Sequence, residues 1–287
     1  MHPTEGRHIP IGDTRLYVVE RGLGFPVLVL HGGPGLDHHM FGHYLDGLAE
    51  AFRLVFVDQR SQGLSDPAPK DTWTLTQMAQ DIVLLAQALE LKRYAVLGHS
   101  YGALVALQNA VDFPGRASQT IVSSGFPSAR FLKHVDRNLE TFEPLELRQQ
   151  VSSSWALEKE VKTQEEMAAL LHDQMPFHFA NPLDPRIQAY EEQTAGAVYS
   201  ADVLRHFAAE EYGGIEVEDR LPSVVQPALV LVGRLDRVCS MEASQAIATR
   251  ISNAELEVFE RSGHMTFVEE NERYLDVVSR FLSRHLH

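Results

Sequence analysis

The chain has 287 residues, a single cysteine and 25 basic against 39 acidic side chains, which give a formal net charge of -14. One cysteine excludes an internal disulfide bond and fits a reducing compartment, and the acidic balance disfavours a nucleic-acid partner, because phosphate contacts need clustered lysine and arginine. Since the chain start lacks the basic and apolar run of a signal peptide, and no apolar stretch reaches the roughly 20 residues of a membrane span, we expect a soluble cytoplasmic protein with no membrane partner.

Three strands and a helix are predicted at the start of the chain. Residues 15–20 are strand-like, and the short apolar runs 26–30 and 53–58 are typical of strands buried on both faces, as in parallel sheets. Glycines mark the turn before the second strand and the loop after it. Between the two buried strands, the apolar spacing from about residue 40 to residue 51 predicts a helix.

Strand and helix alternate regularly over the next part of the chain. The apolar spacing of residues 76–91 predicts a helix. A strand at 94–97, a helix at 101–111 and a strand at 118–123 follow in that order. This alternation is typical of an α/β sheet that is covered by helices on both faces.

A long segment without a convincing strand interrupts this alternation. Residues 127–220 are helix-like and hold 18 acidic against 9 basic side chains, so most of the net negative charge lies here. The alternation resumes with strands at 227–233 and 255–259, and a final helix follows. The sequence therefore predicts one α/β sheet domain, residues 1–126 and 221–287, interrupted by a helical cap of residues 127–220.

Residues 98–102 carry the pattern Gly-x-Ser-x-Gly between a predicted strand and a predicted helix. A serine on such a sharp turn has a strained backbone and is crowded from both sides, so glycine is needed two residues away in each direction. The turn lifts the Ser100 hydroxyl clear of the sheet and places the Tyr101 N–H at the positive end of a helix. We therefore expect Ser100 to be a nucleophile. The other interpretation is a serine in an ordinary glycine turn.

A serine nucleophile needs a general base and an acidic residue that orients the base. In this architecture the acid and then the histidine follow the serine, each after a later strand. Asp236 comes directly after strand 227–233, and His264 lies in the loop after strand 255–259. The expected catalytic triad is therefore Ser100, Asp236 and His264.

Other acids and histidines fit this arrangement less well. Asp202 is the main competitor of Asp236, but it lies on a predicted helix of the insertion. Asp236 itself could instead be a turn-forming residue. The other histidines considered lie in the insertion or at the chain end: His172, His206, His285 and His287. His264 is preferred because it alone follows the last strand and stands next to a glycine.

Acyl transfer also needs two hydrogen-bond donors for the oxyanion. The Tyr101 N–H is one of them. We expect the other to be the Gly33 N–H in the glycine-rich loop 31–35, since glycine lets the main chain approach a substrate closely. A plain Gly-Pro turn is the alternative interpretation of that loop.

Three further residues with reactive side chains are interpreted as non-catalytic. Asp58 and Arg60 are expected to brace the loops beside the oxyanion strand. Cys239 is not expected to be a nucleophile, because nothing in the sequence pairs it with a base. Neither a metal nor a cofactor is expected, and the sequence says nothing of the oligomeric state.

Four sequence blocks resemble the proline iminopeptidase family of the α/β hydrolases. They are His-Gly-Gly-Pro-Gly at 31–35, Asp-Gln-Arg-Ser-Gln-Gly-Leu-Ser at 58–65, the serine turn at 98–102, and Gly-Arg-Leu-Asp-Arg-Val-Cys at 233–239. They resemble, in this order, the family's oxyanion loop, its D-Q-R-G-x-G-x-S block, its nucleophile turn and the G-R-x-D-x-x-C segment around its acid. The resemblance implies an α/β-hydrolase fold: a mostly parallel, eight-stranded sheet with helices on both faces and an inserted helical cap.

The chain departs from that family at the nucleophile turn, and its cap matches only loosely. The family usually has G-G-S-W-G, whereas this chain has His99 and Tyr101, and Ser61 stands where glycine is usual. Esterases and other hydrolases of the same fold often share the His99 form. In the family, glutamates of the cap bind the free amine of the substrate. The loose counterparts in this chain are Glu191, Glu192, Glu210 and Glu211.

These residues and the resemblance predict a serine hydrolase that acts through an acyl-enzyme on a small molecule or a short peptide. The resemblance implies an aminopeptidase that releases N-terminal proline or another amino acid, and an acidic cap suits an ammonium group. A carboxylesterase, lactonase or carbon–carbon-bond hydrolase would use the same triad. A non-enzymatic receptor is disfavoured by the intact serine, aspartate and histidine. Cap carboxylates that face Ser100 would favour the peptidase, and an apolar pocket would favour the esterase.

Overall fold

An eight-stranded sheet forms the centre of the molecule. The computed structural model describes residues 6–286, so the predictions on the first five residues and on His287 lie outside the described part. The strands are β1 (Arg7–Pro10), β2 (Arg15–Arg21), β3 (Phe25–Leu30), β4 (Phe52–Val57), β5 (Ala95–His99), β6 (Gln119–Ser123), β7 (Ala228–Gly233) and β8 (Ala254–Phe259). Their order is β1-β2-β4-β3-β5-β6-β7-β8. Strands β3 to β8 are parallel, and only β1 and β2 make antiparallel pairs, which confirms the predicted mostly parallel sheet.

The register of the sheet brings the carboxyl ends of its central strands to one edge. Leu30 at the end of β3 is opposite Val57 of β4 on one side and Gly98 of β5 on the other. Gly98 is in turn opposite Val122 of β6. Because parallel strands end at the same edge, the loops after β3, β5, β7 and β8 open at that edge. The candidate functional residues lie in these loops.

Ten α helices accompany the sheet within the described residues. They are α1 (Leu75–Ala88), α2 (Tyr101–Asp112), α3 (Lys133–Glu140), α4 (Leu145–Leu157), α5 (Gln164–His178), α6 (Arg186–Gln193), α7 (Ala201–Ala209), α8 (Met241–Arg250), α9 (Thr266–Glu269) and α10 (Asn271–Arg284). Within residues 6–286, none of the helices is both long and apolar enough to cross a membrane.

Two apolar clusters cover opposite faces of the sheet. Side chains alternate along β5: Val96 packs with apolar residues of α1, α2 and α8, whereas Ala95 and Leu97 pack with those of α10. Burial on both faces is the reason that the central strands appear in the sequence as continuous apolar runs. Helix α2 is buried from Tyr101 to Val111, so it too is apolar around most of its circumference.

The chain between β6 and β7 folds into helices α3 to α7. Its β content among the described residues is one isolated bridge between Ser128 and Glu216. Helix α5 begins with a capping box, in which the Thr163 hydroxyl accepts the Glu166 N–H and the Glu166 carboxylate accepts the Thr163 N–H. The cap boundaries at residues 127 and 220 stay a prediction.

Two predictions on the first sixty residues need correction. The helix expected from about residue 40 to residue 51 is wrong. The structure has two short 3-10 turns instead, His38–Phe41 and Asp46–Glu50, because Gly42 ends the first with a φ of 47°. Strand β1 was not predicted, since it has four residues, includes Pro10 and pairs only with β2 at the sheet edge.

Candidate active site

Ser100 occupies a sharp turn between β5 and α2. Its φ of 55° and ψ of -120° lie outside the usual regions for a residue with a side chain. A Cβ added to Gly98 would lie 2.0 Å from the Gly102 carbonyl oxygen, and one added to Gly102 would lie 2.4 Å from the Leu30 carbonyl oxygen. The strand–turn–helix context is therefore present, and close main-chain contacts explain the glycines on both sides of the serine.

Asp236 and His264 form a buried hydrogen-bonded pair after β7 and β8. The His264 Nδ1–H donates to the Asp236 carboxylate, with Nδ1 3.0 Å from Oδ2 and 3.1 Å from Oδ1. The N–H groups of Val238 and Cys239 also donate to Asp236 Oδ1, at 2.8 and 2.9 Å. Burial acts to raise the pKa of Asp236, but the pairing with His264 and these donors outweigh it and leave the pKa below its ordinary value. Asp236 is thus held as a carboxylate that orients the histidine ring.

Ser100 and His264 border one cavity of 640 Å³, together with Gly33 and Tyr101. Helices of the segment between β6 and β7 complete its walls. Much of the wall is apolar and includes Leu104, Phe126, Leu132, Val135, Leu139 and Trp155. The cavity therefore joins Ser100 and a paired histidine to a chamber that can enclose a small molecule.

The loop after β3 passes directly beside Ser100. A Cβ added to Gly32 would lie 3.1 Å from the Ser100 Cβ. Gly33, the next residue, has a φ of 109°, a conformation that favours glycine, and it borders the cavity. The loop is held from outside, since the Gly35 N–H donates to Gln62 Oε1 at 2.6 Å. The main chain of this loop thus lies beside Ser100, and Tyr101 at the start of α2 borders the same cavity.

The four cap glutamates expected from the sequence lie in different places. Glu211 borders the cavity that contains Ser100. Glu191 accepts the His172 Nδ1–H at 2.6 Å and borders a separate pocket of 320 Å³. The remaining two are near other cap side chains: Glu192 accepts Gln188 Nε2–H at 2.9 Å, and Glu210 lies 3.8 Å from His206 Nε2. The structure therefore brings only Glu211 of these four to the nucleophile.

Glu158, directly after α4, is a buried cavity carboxylate that the sequence did not predict; Asp136 also borders the cavity. The Glu158 side chain is buried and borders the cavity. Gln174 Nε2–H donates to its Oε1 at 2.8 Å, and the Tyr212 hydroxyl donates to its Oε2. Burial raises its pKa to about 7, and these two donors offset part of that rise. Nothing in the sequence distinguishes Glu158 from the other acidic residues of residues 127–220.

Tyr212 reaches Glu158 from a strained stretch of main chain. Glu211 and Tyr212 have φ values of 50° and 55°, and the two following glycines also have positive φ. A non-glycine residue in this region costs roughly 1 kcal/mol or more, and such residues are concentrated at functional sites. Trp155 Nε1–H donates to the Tyr212 hydroxyl at 3.2 Å, which directs that hydroxyl toward the carboxylate.

Two further histidine rings surround His264. The centroid of the His99 ring lies 5.0 Å from that of His264, and the centroid of His178 lies 5.3 Å from it. Burial and the neighbouring His264 lower the pKa of His178 to about 4 and that of His99 well below its ordinary value. Both rings are therefore neutral at pH 7, and they add no charge beside the candidate base.

Asp58 and Arg60 make contacts that suit a bracing role. Asp58 Oδ1 accepts the His38 N–H at 2.8 Å, and its Oδ2 accepts the Leu64 N–H at 2.9 Å. Arg60 is buried and donates to Asp81 and Asp13. Neither residue borders the cavity that contains Ser100. Asp58 thus joins the segment after β3 to the loop after β4, and Arg60 joins the loop after β4 to the β1–β2 loop and to α1.

Cys239 lies beside the acid–base pair, a neighbour that the sequence did not predict. Its sulfur and ligand atoms of Asp236 and His264 lie within 4.8 Å of one another, close enough to hold a metal ion. A second such group among residues 6–286 consists of Asp37, His38 and His39. Burial raises the pKa of the Cys239 thiol well above its ordinary value, so the thiol is protonated at neutral pH and is a poor nucleophile.

Known proteins resemble this chain along most of its length. The family model described as alpha/beta hydrolase fold matches residues 26–271. A proline iminopeptidase of Clostridium botulinum is 30% identical over 273 residues, which cover 90% of each chain. The solved structure of a proline iminopeptidase of Mycobacterium smegmatis has a TM-score of 0.77 at 24% identity and covers 98% of each chain. An esterase of Exiguobacterium antarcticum has a TM-score of 0.76 at 26% identity and covers 97% of this chain and 100% of its own.

Proposed function

This chain belongs to the α/β hydrolase fold family, and from that membership we propose that it is a serine aminopeptidase of the proline iminopeptidase type. Its reaction is the release of an N-terminal proline or another N-terminal amino acid from small peptides or amides. The observation that carries the proposal is the buried Glu158 carboxylate in the same cavity as Ser100. An unpaired buried carboxylate is costly, and a substrate ammonium group is the partner that would relieve the cost.

The first half of the proposed reaction forms an acyl-enzyme. Ser100 Oγ attacks the substrate carbonyl carbon while His264 accepts the serine proton as general base. Asp236 holds the His264 ring through its Nδ1–H and stabilises the imidazolium that forms. The N–H groups of Tyr101 and Gly33 stabilise the oxyanion. His264 then protonates the leaving amine, and the C–N bond breaks.

The second half of the reaction hydrolyses the ester bond of the acyl-enzyme. His264 removes a proton from a water molecule, which attacks the acyl carbon bound to Ser100 Oγ. The same two N–H groups stabilise the second oxyanion. The proton passes from His264 to Ser100 Oγ as the ester bond breaks, and the free amino acid leaves with the triad restored.

Recognition of the substrate amine is assigned to Glu158 and Glu211. Gln174 and Tyr212 orient the Glu158 carboxylate with two donated hydrogen bonds. A bound ammonium favours the charged carboxylate and lowers its pKa, so binding draws Glu158 into the charged state. An N-acylated substrate has no ammonium group and would leave this carboxylate buried without a positively charged partner, which gives strong discrimination.

A carboxylesterase or lactonase is the second candidate function. It is favoured by the long apolar wall formed by residues such as Leu104, Phe126 and Leu132, and the esterase of Exiguobacterium antarcticum shares the fold over nearly the whole chain. The triad would act on an ester in the same way. The two candidates differ in whether the reaction needs a free amine.

A matched substrate set separates the two functions. Purified protein is assayed with prolyl and alanyl arylamides, with the same arylamides after N-acetylation, and with a short p-nitrophenyl ester. Ser100→Ala serves as the control for the triad, and Glu158→Gln serves as the control for the amine site. The expected result is hydrolysis of the free-amine arylamides but not of their N-acetylated forms, with that activity abolished in Ser100→Ala and strongly reduced in Glu158→Gln. Ester hydrolysis without arylamide hydrolysis would overturn the aminopeptidase proposal and leave the triad standing.

A further inference from the structure

The last residue of α5 and the two residues after it cross the loop that carries His264. We call residues 178–180 the strap. The His264 N–H donates to the His178 carbonyl oxygen at 2.7 Å. A Cβ added to Gly263 would lie 2.7 Å from both the Ala180 nitrogen and the His178 carbonyl oxygen. The strap and the histidine loop are therefore in direct main-chain contact, with no room for a side chain at residue 263.

Two charged side chains beside the triad hold the strap in place. Glu269, at the end of α9, accepts the Ala180 N–H with Oε1 and the Gly263 N–H with Oε2, both at 2.8 Å. One carboxylate thus joins the strap to the histidine loop. Arg237, next to the triad acid, donates to the Phe179 carbonyl at 2.6 Å and to the Ala180 carbonyl at 3.0 Å.

The same helix end also reaches the carboxylate assigned to the substrate amine. Gln174, one turn before the strap, donates to Glu158. The His178 Nδ1–H donates to the Gln174 carbonyl at 3.0 Å, and the His178 ring stacks on Trp155 with centroids 5.6 Å apart. The end of α5 therefore contacts the amine site on one side and the histidine loop on the other.

We propose that Glu269 is a positioning residue, which fixes the main chain of His264 against the strap and so couples the seating of the cap to the catalytic base. This inference rests on the proposed function only through the triad of Ser100 and His264. A misplacement of a catalytic group by about 1 Å can cost on the order of 100-fold in rate. Glu269 is well placed to prevent such a misplacement, because one of its carboxylate oxygens contacts the strap and the other contacts the histidine loop.

Burial adds support for a dedicated role of this carboxylate. It raises the pKa of Glu269 to about 7, although the N–H groups of Ala180 and Gly263 act in the opposite direction. The fold thus retains an acidic side chain at a place where its charge is disfavoured. The two main-chain donors that it satisfies give a physical reason for its presence.

The next residue provides a matched control. Glu270 also accepts hydrogen bonds from the histidine loop: its Oε2 accepts the Arg261 N–H and the Ser262 hydroxyl, both at 2.9 Å. These two hydrogen bonds hold the histidine loop, and neither of them involves the strap. Glu269→Gln and Glu270→Gln therefore make the same chemical change at adjacent residues, and only the first removes an oxygen that joins loop to strap.

The test compares the full-length parent with Glu269→Gln, Glu270→Gln, Arg237→Lys and the double variant of Glu269 and Arg237. The first readout is the rate at which a fluorophosphonate labels Ser100, with Ser100→Ala as the blank. The second is the split between kcat and KM on the best substrate. The third is amide hydrogen exchange in the peptides that contain the strap and residues 261–266.

Glu269→Gln is expected to slow labelling and to lower kcat by roughly 10- to 100-fold, with KM unchanged within about twofold. Exchange should rise in the strap and in the histidine loop together, whereas Glu270→Gln should raise it in the loop alone. The losses of labelling rate and of kcat from Glu269→Gln and from Arg237→Lys should be less than additive, because both changes release the same strap. If Glu269→Gln does not fold, Arg237→Lys tests the strap from its other side with the same readouts.

Two failures can be told apart. A parent that the fluorophosphonate does not label would overturn the proposed triad and this inference with it. A labelled parent together with a Glu269→Gln protein of equal labelling rate, or of unchanged strap exchange, would overturn the positioning role alone. Strictly additive effects of Glu269→Gln and Arg237→Lys would do the same.

Discussion

The sheet edge and the cap contribute to one cavity in different ways. At the sheet edge, Ser100 and His264 stand on loops whose main chain is fixed by close contacts, as at Gly98 and Gly263. In the cap, Glu158 is oriented by side-chain hydrogen bonds from two other elements. Under the proposed function, a change at Glu158 should alter which substrate binds without disturbing the turn at Ser100. The amine site and this turn are held by different sets of contacts, while the strap joins the cap to the histidine loop.

The largest expected effect is at the sheet edge. Ser100→Ala removes the nucleophile and should lower kcat by about 10⁴- to 10⁶-fold on every substrate that the protein hydrolyses. The loss should be the same for an arylamide and for an ester, because Ser100 would attack the carbonyl carbon of both. Steady-state rates measured beside the circular dichroism spectrum separate loss of chemistry from loss of fold. A variant with a tenth of the parent rate would show that Ser100 is not the nucleophile.

The next effect is in the cap and should depend on the substrate. Glu158→Gln removes the buried partner of the substrate ammonium and should lower kcat/KM for free-amine arylamides by roughly 100-fold or more. The rate with a p-nitrophenyl ester should stay within about threefold, since the triad is intact. Glu192→Gln is the matched control, because Glu192 lies on an exposed part of α6. Equal losses on amide and ester would contradict the separation of the two regions.

The pH dependence gives a third test of that separation. The pKa of Glu158 is about 7, so its charged form diminishes as the pH falls through 7. For free-amine substrates, kcat/KM should therefore fall by up to about tenfold per pH unit below 7, in addition to the protonation of the histidine base. For an ester substrate, the pH profile should reflect only the protonation of the histidine base. The difference between the two pH profiles should vanish in Glu158→Gln, and a difference that persists in that variant would exclude Glu158 as its source.

The smallest expected effect is at the hydroxyl that orients Glu158. Tyr212→Phe removes the hydrogen bond to the carboxylate and should raise KM for free-amine substrates by roughly tenfold, with little change in kcat. The acid limb of the pH profile should also move upward, because a donor that favours the charged carboxylate is lost. Tyr199→Phe is the control, since Tyr199 borders the separate pocket. A fall in kcat with unchanged KM would assign Tyr212 to the chemistry instead.

The sheet edge was predictable because its constraints are local. Glycine at 98 and 102 follows from contacts within a turn of five residues, and buried strands appear as apolar runs whatever packs on them. The order of strands then placed Asp236 and His264 after the right elements. What the sequence could not show at this edge was the close contact of Gly263 with the strap, which joins residues more than eighty positions apart.

The cap was less predictable because its constraints are tertiary. Glu158 faces the cavity only because Gln174 and Tyr212, from other elements, are packed around it. Glu191, which lies within α6, has the same residue type, yet it pairs with His172 at another pocket. Acidic side chains are spread along the whole segment, so residue type alone does not distinguish a cavity carboxylate from a solvated one.

The buried carboxylate at residue 158 also links ligand binding to the thermodynamic stability of the protein. An unfolded glutamate titrates near 4.5, and Glu158 titrates near 7 in the folded chain, so the folded state loses stability as the pH rises from 4.5 to 7. Above pH 7 the loss is on the order of 3 kcal/mol. The contribution of Glu158 to the stability of the vacant protein is therefore smallest at the pH at which its charged carboxylate would bind an amine best. An amino acid amide bound in the cavity would act as a thermal stabiliser, and its effect on Tm should be larger at pH 8 than at pH 5.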